Sequence, residues 1–278
     1  MIPAHDEEGT IGATLRRLAP LMGQHEVVVV CNGCTDRTAD VVRSTAPWAA
    51  LIELPEPGKH AALDAGDAAV SKFPRAYLDA DIHIDATAVQ QLLDAVATGE
   101  VLAAAATPVS DCSLSSRLVR SHYALRTQLS TNRVGLAGTG AMAVAAAGRA
   151  RFTGWPAMIA DDYFLDGQFA DDEKTRVVSA SVVVMAPRSL RECISRRARV
   201  TEGNARILAA DLRGPHRQAG IGAMIAAVRG RPALAVHVPA HLFITVAARG
   251  LVRWRRWRGT SSVWYRDDSR ATVPGVTP

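Results

Sequence analysis

The stretch Arg75-Ala-Tyr-Leu-Asp-Ala-Asp-Ile-His-Ile-Asp85 constrains this chain more than any other. It starts as a short apolar strand and runs into two carboxylates, Asp79 and Asp81, separated by the small residue Ala80. Side chains alternate along an extended chain, so residues two apart leave from the same face. Asp79 and Asp81 therefore stand side by side at the strand's end. Such a pair suits Mg2+ or Mn2+, which one or two carboxylates hold while substrate phosphate oxygens and water complete the shell. A solvated turn after a strand has the same local pattern. A phosphatase in which the first Asp of Asp-x-Asp-x-Thr/Val attacks phosphate is excluded, because the fifth position is His83.

Strands and helices alternate around this stretch. Met1–Ala4 has the character of a strand's tail, shorter than the usual five or six residues, which predicts a natural start several residues upstream. After the turn His5–Gly9, Ile11, Leu15 and Leu18 recur at helical spacing. Glu26–Cys31 is a continuous apolar run, as in a strand buried on both faces of a parallel sheet. Asn32-Gly33 turns the chain, and Thr35 or Asp36 caps a helix carrying Val41 and Val42. Leu51–Leu54 is a third strand, Pro55–His60 a loop, and Ala61–Val70 a helix of small residues. Beyond the Asp pair, Asp85 caps a helix whose apolar face is Val89, Leu92, Leu93 and Val96. Strand and helix alternating four times predict an α/β fold with an open, mostly parallel sheet. Ligands of such sheets bind at the carboxyl ends of the strands. There Asp6, Glu7, Asn32, Asp79 and Asp81 would gather.

The second half is less regular. Val101–Thr107 and Val177–Met185 are expected strands, and Ser113–Ser130 a helix. Gly135–Gly140 is a flexible turn leading into an apolar strand. Ala160–Leu165 opens a helix with Asp161 and Asp162 near its positive N-terminus. Leu190–Leu212 is a long basic helix carrying Arg191, Arg196, Arg197, Arg199 and Arg206. There is no internal repeat.

A length of 278 residues fits one large domain, or one domain with an appendage, and 48% apolar residues sustain a packed core. The net charge of +5 is uneven: five arginines and no acid lie between Arg249 and Arg258. A basic tail on a near-neutral body points to an anionic surface as partner and away from nucleic acid. Just before it, Pro232–Ala248 is a charge-free run of 17 residues. A spanning helix needs about 20 apolar residues. Two readings fit: a helix at the membrane interface anchored by Trp254 and Trp257, or a helix packed on the domain. Cys31-x-x-Cys34 has the spacing of a redox pair or half a zinc site, but no Cys/His set completes four ligands. No secretory signal leads the chain. A reduced protein, cytoplasmic or peripheral at the inner face of the membrane, is expected.

In order and spacing, Ile2-Pro-Ala-His-Asp-Glu-Glu8, Cys31-Asn-Gly-Cys-Thr-Asp36, Gly58-Lys59, Leu78-Asp-Ala-Asp81 and Asp161-Asp162 with Leu165 form a series. Together they resemble the motifs of family 2 glycosyltransferases of the GT-A fold, over about residues 1–210. Val263-Trp-Tyr-Arg-Asp-Asp-Ser269 is similar to the ending of a bacterial subgroup with an amphipathic C-terminal segment. The resemblance implies a GT-A catalytic domain at 1–212, divided into a nucleotide-binding half (1–107) and an acceptor half (108–212). A helical, basic extension would occupy 213–278.

It also implies a division of labour. Pro3, Ala4, Asp6 and Glu7 would line the nucleoside pocket of a nucleotide-sugar donor. Asn32 stands where many members carry an Asp facing the base. An Asn donates and accepts whereas an ionised Asp only accepts, so a UDP-sugar is expected with other bases left open. Lys59 would approach the donor. Asp79 and Asp81, with Ala80 between them, would hold Mg2+ or Mn2+ against the diphosphate. Asp162 matches the family's general base in an inverting transfer, with Asp161 raising its pKa by repulsion. Arg196, Arg197 and Arg199 occupy the place of the Gln-x-x-Arg-Trp of processive relatives. Val200 replaces the Trp, which argues against a polymerising synthase and leaves Arg197 and Arg199 as diphosphate contacts. A sugar nucleotidyltransferase would need a Gly-rich basic loop after the first strand, where this chain has acidic His5–Glu8. An inert membrane-binding module would leave Asp79, Asp81 and Asp162 without a purpose. The acceptor is not legible.

Overall fold

The computed structural model describes residues 1–131, 135–157, 160–210 and 221–258. Its first half follows the apolar runs. β1 (Ile2–Ala4), α1 (Ile11–Leu18), β2 (Val28–Asn32), α2 (Thr38–Thr45) and β3 (Ala50–Leu54) come first in chain order. Next are α3 (Lys59–Ala69), β4 (Arg75–Leu78) and α4 (Ala86–Ala97). β1, β2 and β3 are parallel neighbours, and every residue of β2 is buried. Asp36, not Thr35, serves the start of α2, its Oδ1 accepting from the Thr38 N–H at 2.9 Å. Asp85 caps α4 as expected, accepting from the Ala88 N–H at 2.7 Å. Ile11, Leu15 and Leu18 from one side and Val89, Leu92 and Val96 from another join the same apolar core. Each such side chain contributes roughly 1.5–3 kcal/mol by leaving water.

The remaining elements are β5 (Ala103–Asp111), α5 (Arg117–Thr131), β6 (Ala141–Val144), α6 (Ala146–Arg149), α7 (Asp161–Gly167), β7 (Lys174–Met185), α8 (Leu190–Ala209), α9 (Ile221–Gly230) and α10 (Val238–Trp257). A second ladder has the order β4-β6-β5-β7, in which β6 runs antiparallel to both neighbours and β5 parallel to β7. The two ladders meet at β1 and β4, where the Leu78 N–H donates to the Met1 carbonyl at 3.0 Å. The sheet is thus mostly parallel with one reversed strand. β5 and β7 both run longer than their apolar cores, and their register slips between Ala106/Val177 and Thr107/Ser181.

α10 settles along the domain through Ala240, His241, Ile244, Ala248 and Val252, a stripe at helical spacing packed on α5 and α8. Its other side exposes Leu242, Phe243, Val246, Trp254 and Trp257, the last at 81%. Pro232–Trp257 is also long and apolar enough to cross a membrane by length and composition. The expected end of α8 at Leu212, the domain boundary at 212/213 and the tail motif Val263–Ser269 lie outside the described residues.

Candidate active site

β4 delivers Asp79, and the segment after it is held from three sides. Buried Thr14 on α1 donates its hydroxyl to the carbonyls of Ala80 (2.9 Å) and Ile82 (3.1 Å). The Asp79 N–H donates to the Gly140 carbonyl at 2.8 Å. The His83 backbone bridges Val183 of β7. Gly140 has φ +69°, and a Cβ there would stand 2.9 Å from Asp79 Oδ2 and from Ile82 Cγ2. Only glycine combines that backbone with that approach. Asp79 and Asp81 are half-buried.

Lys59 lies at the first position of α3, which begins two residues before the expected helix start at Ala61. Its ammonium lies 2.7 Å from Asp79 Oδ1 and 3.0 Å from Asp161 Oδ2. Burial opposes the charge, but Asp161 and Asp79 outweigh it and hold the lysine above its ordinary range. A cation is therefore already seated between these carboxylates. The oxygen donors Asp79 and Asp81 suit a hard divalent ion, and the shape of Gly140 leaves room for Asp79 to serve it.

Asp161 and Asp162 open α7 after Ala160, whose φ of 95° is left-handed and strained for a residue with a Cβ. Asp162 Oδ2 accepts from the Gly138 N–H at 2.6 Å, and its Oδ1 from the Tyr163 N–H at 2.7 Å. Burial, then the charge of Asp161, pushes the Asp162 carboxyl up to about 6, against the pull of the Gly138 N–H and Lys59. Repulsion by Asp161 is thus the second cause, behind burial. One turn on, buried Asp166 accepts from the Leu136 N–H at 2.8 Å and from Lys174 Nζ at 2.9 Å. Gly138, Gly140 and Thr14 were not singled out by sequence. Gly135-x-x-Gly138-x-Gly140 held the signal, since closely spaced glycines mark close backbone approaches as well as flexible turns.

At the β1–β2 edge, Pro3 and Ala4 are buried. Asn32 is 1% exposed and spends its amide inside the protein: Nδ2 donates to the Ala4 carbonyl at 2.8 Å, and Oδ1 accepts from the Gly58 N–H at 2.9 Å. It ties the ends of β1 and β2 to the loop before Lys59. Asp6 (φ 52°) accepts from the Thr35 N–H at 2.6 Å and from the Asp36 N–H at 3.3 Å. Burial would raise its carboxyl, but these bonds, the Thr35 hydroxyl and His5 hold it below the usual range. Glu7 Oε2 accepts from the Thr10 hydroxyl at 2.5 Å. Asp6, Cys34 and Asp36 each bring a ligand atom within 4.8 Å of the others. Both carboxylates are already engaged by backbone N–H groups, so the group is a loop clasp. All four cysteines are free.

Behind the site, Asp67 is 8% exposed and accepts from Arg75 Nη1, Tyr77 Oη, Arg149 Nε and Trp155 Nε1, all at 2.7–2.9 Å. This hub fastens α3, and with it Lys59, to β4 and to the segment leading towards α7. On α8, Arg197 has Arg126, Cys193, Arg249 and Tyr123 as electrostatic neighbours, which places it towards α5 and α10. Arg199 is half-buried on the same helix. Arg196 is the member of this group that reaches the cavity beside Gly138.

Comparison with known proteins agrees with this architecture. Mannosyltransferase PcManGT from Pyrobaculum calidifontis, in complex with GDP-Man and Mn2+, is similar with a TM-score of 0.60 at 20% identity, over 94% of this chain and 75% of that one. Glucosyl-3-phosphoglycerate synthase from Mycobacterium tuberculosis, in complex with Mn2+, UDP-Glc and phosphoglyceric acid, has a TM-score of 0.56 at 22% identity, over 79% of this chain and 80% of that one. These likenesses establish the GT-A-type fold. No curated protein matches the sequence. The model for "Glycosyl transferase family 2" matches residues 1–152, more than half of the 278. The chain belongs to glycosyl transferase family 2.

Proposed function

We propose that this protein transfers a hexose from a nucleotide-sugar donor to an acceptor hydroxyl with inversion at the anomeric carbon. The observation that carries the reading is the convergence of Asp79, Lys59, Asp161 and Asp162 on one spot, joined through Gly138 and Gly140. Asp79 and Asp81 would hold Mn2+ or Mg2+, which supplies a Lewis acid for the charge that grows on the leaving diphosphate. Asp162 takes the proton of the acceptor hydroxyl while that oxygen bonds to the anomeric carbon. The bond from this carbon to the diphosphate oxygen breaks, and its electron pair leaves with the nucleoside diphosphate. Lys59 offers a second positive charge to the same oxygens. Pro3, Ala4, Asp6 and Glu7 wall the nucleoside pocket, and Asn32 fixes that wall from behind. Arg197 and Arg199 on α8 are the further candidates for the diphosphate, Arg197 with Arg126, Tyr123 and Arg249 as its neighbours.

The relatives just described bind GDP-Man and UDP-Glc, so the base is an open variable with uridine the first to test. α10 adds a peripheral contact with anionic membrane. Its packed stripe favours lying along a surface over crossing it, and its free side carries Phe243, Val246, Trp254 and Trp257 beside the arginines. A panel of nucleoside diphosphates with and without Mn2+, read by thermal shift, tests the core of the proposal. One nucleotide should stabilise the protein only with Mn2+, and Asp81→Ala should remove that response with the fold intact. Equal stabilisation with and without metal would overturn the metal assignment.

A further inference from the structure

A cavity of about 50 Å³ lies beside the base and is lined by Ser110, Tyr123, Arg126, Gly138, Arg176 and Arg196 among others. In this measure one water takes about 10–15 Å³, so the space suits a group of three or four heavy atoms. Three arginines line it, and among the described residues no carboxylate does. Each guanidinium is held in place by its own partner. Arg126 Nη1 donates to the Tyr123 hydroxyl at 3.3 Å, Arg196 Nη1 to the Met185 carbonyl at 3.0 Å, and Arg176 Nη2 to the Gly135 carbonyl. Three like charges around one small space repel one another, and an anion entering it would be attracted by all three. The crowding extends outward: burial, then the charge of Arg126, holds the neighbouring Arg197 below the ordinary arginine range.

The cavity adjoins the reacting centre. A Cβ on Gly138 would lie 3.9 Å from Arg126 Nη2, and the Gly138 N–H holds the Asp162 carboxylate at 2.6 Å. Its described lining comes from residues 108–196, whereas the donor residues Asp6, Asn32, Lys59, Asp79 and Asp81 lie earlier in the chain. We infer that this arginine cavity is an oxyanion subsite that receives a phosphate group carried by the acceptor and so presents the acceptor hydroxyl to Asp162. The inference rests on the transferase reading for the acceptor's role. Guanidinium forks match phosphate geometry with paired N–H donors, and anchoring a remote anion fixes the orientation of the attacking oxygen.

Two measurements separate the subsite from the reaction. In the first, inorganic phosphate is titrated by calorimetry against the metal-free, nucleotide-free protein. Saturable binding is expected, weakened at least tenfold in Arg126→Gln and Arg196→Gln, less in Arg126→Lys and Arg196→Lys, and retained in Asp81→Asn. Melting curves of the four arginine variants identify any that fail to fold, and the lysine variants then carry the test. Unchanged binding in folded arginine variants, or loss in Asp81→Asn, would overturn the subsite. In the second, diols and triols such as glycerol are offered as acceptors in free form and as phosphate monoesters that keep a free hydroxyl, soluble or as lysophosphatidate in vesicles. Preference for a phosphorylated acceptor, competed by inorganic phosphate and lost in Arg196→Gln, supports the assignment, and the soluble and vesicle arms identify the source. Equal use of the free alcohols would overturn it. Failure of Mn2+-dependent nucleotide binding would sink the transferase reading alone, since phosphate binding is measured without either.

Discussion

Replacing Asp162 by Asn is the sharpest test of its role as base, and the structure sets the expected sizes. Each Asp162 oxygen accepts one backbone N–H, from Gly138 at 2.6 Å and from Tyr163 at 2.7 Å. An Asn must turn its NH2 towards one of these donors, and a donor left unsatisfied costs about 1–3 kcal/mol. Against this, a carboxyl raised from 3.8 to about 6 is disfavoured as an anion by roughly 2–3 kcal/mol, less some solvent screening. The neutral amide escapes that penalty, so Asp162→Asn should fold with near-normal stability. Its turnover should fall by about 10²–10⁴-fold, the usual worth of a general base. Donor affinity should stay within about threefold. With Asp162 as the proposed base, wild-type activity requires its ionised form, so the rate should decline as pH falls through about 6. That acid limb should vanish in the variant. Steady-state transfer across pH, with donor affinity by calorimetry, reads all three. Donor affinity that collapses with turnover, or an acid limb that persists, would place the base elsewhere.

Three further outcomes are expected. Gly140→Ala should cost about 1–3 kcal/mol in chemical denaturation, from left-handed backbone strain plus the 2.9 Å approach to Asp79 and Ile82, and should weaken Mn2+-dependent nucleotide binding. Buried His122 and His241 stack at 4.7 Å, and burial with Arg126 and Arg197 nearby lowers them to about 3 and about 4. The unfolded chain therefore takes up protons first as pH falls below about 6.5, and each histidine should cost about 2 kcal/mol of stability by pH 5. Melting of His122→Phe should be less acid-sensitive than wild type. Sedimentation with phosphatidylserine vesicles should be strong at low salt and lost at 1 M, where the Debye length is about 3 Å, or on reversing the charges of Arg253, Arg255 and Arg256. Binding that survives both would mean insertion and refute a peripheral contact.

What could be read in advance depended on whether a residue's partners were close in sequence. The core faces of α1 and α4 were legible because Ile11, Leu15, Leu18 and Val89, Leu92, Val96 repeat at the helical period. The reversed strand β6 was not, since Ala141–Val144 has the same apolar character whichever way it runs. Lys59 illustrates the middle case. Its place after Gly58 was visible, but its two carboxylate partners lie 20 and 102 positions away. Arg126 and Arg176 carried no local mark, because the cavity that unites them with Arg196 exists only once α5, β7 and α8 are packed. For α10, the two readings weighed from composition were not exclusive: one stripe packs inward while aromatic residues stay outside.

The glycine turn at 135–140 explains why Asp79 and Asp162 belong to one unit although they come from distant parts of the chain. Residues four apart on a helix share a face, and α7 uses that spacing to aim Asp162 and Asp166 at the same loop. Asp166 takes the Leu136 N–H and Asp162 the Gly138 N–H, while two residues on the Gly140 carbonyl takes the Asp79 N–H. The proposed base and the first proposed metal carboxylate are therefore linked by a few short hydrogen bonds across a loop with left-handed turns at Gly138 and Gly140. Neither can shift far without moving the other. Misplacement by about 1 Å can cost on the order of 10²-fold in rate, so a loop that fixes their separation contributes to turnover without touching substrate. Lys59 closes the circuit by pairing Asp79 with Asp161. Left-handed Ala160 stands at the turn from which α7 begins, with Asp161 on this lysine and Asp162 on this loop, so the strained residue lies where the two acids are aimed.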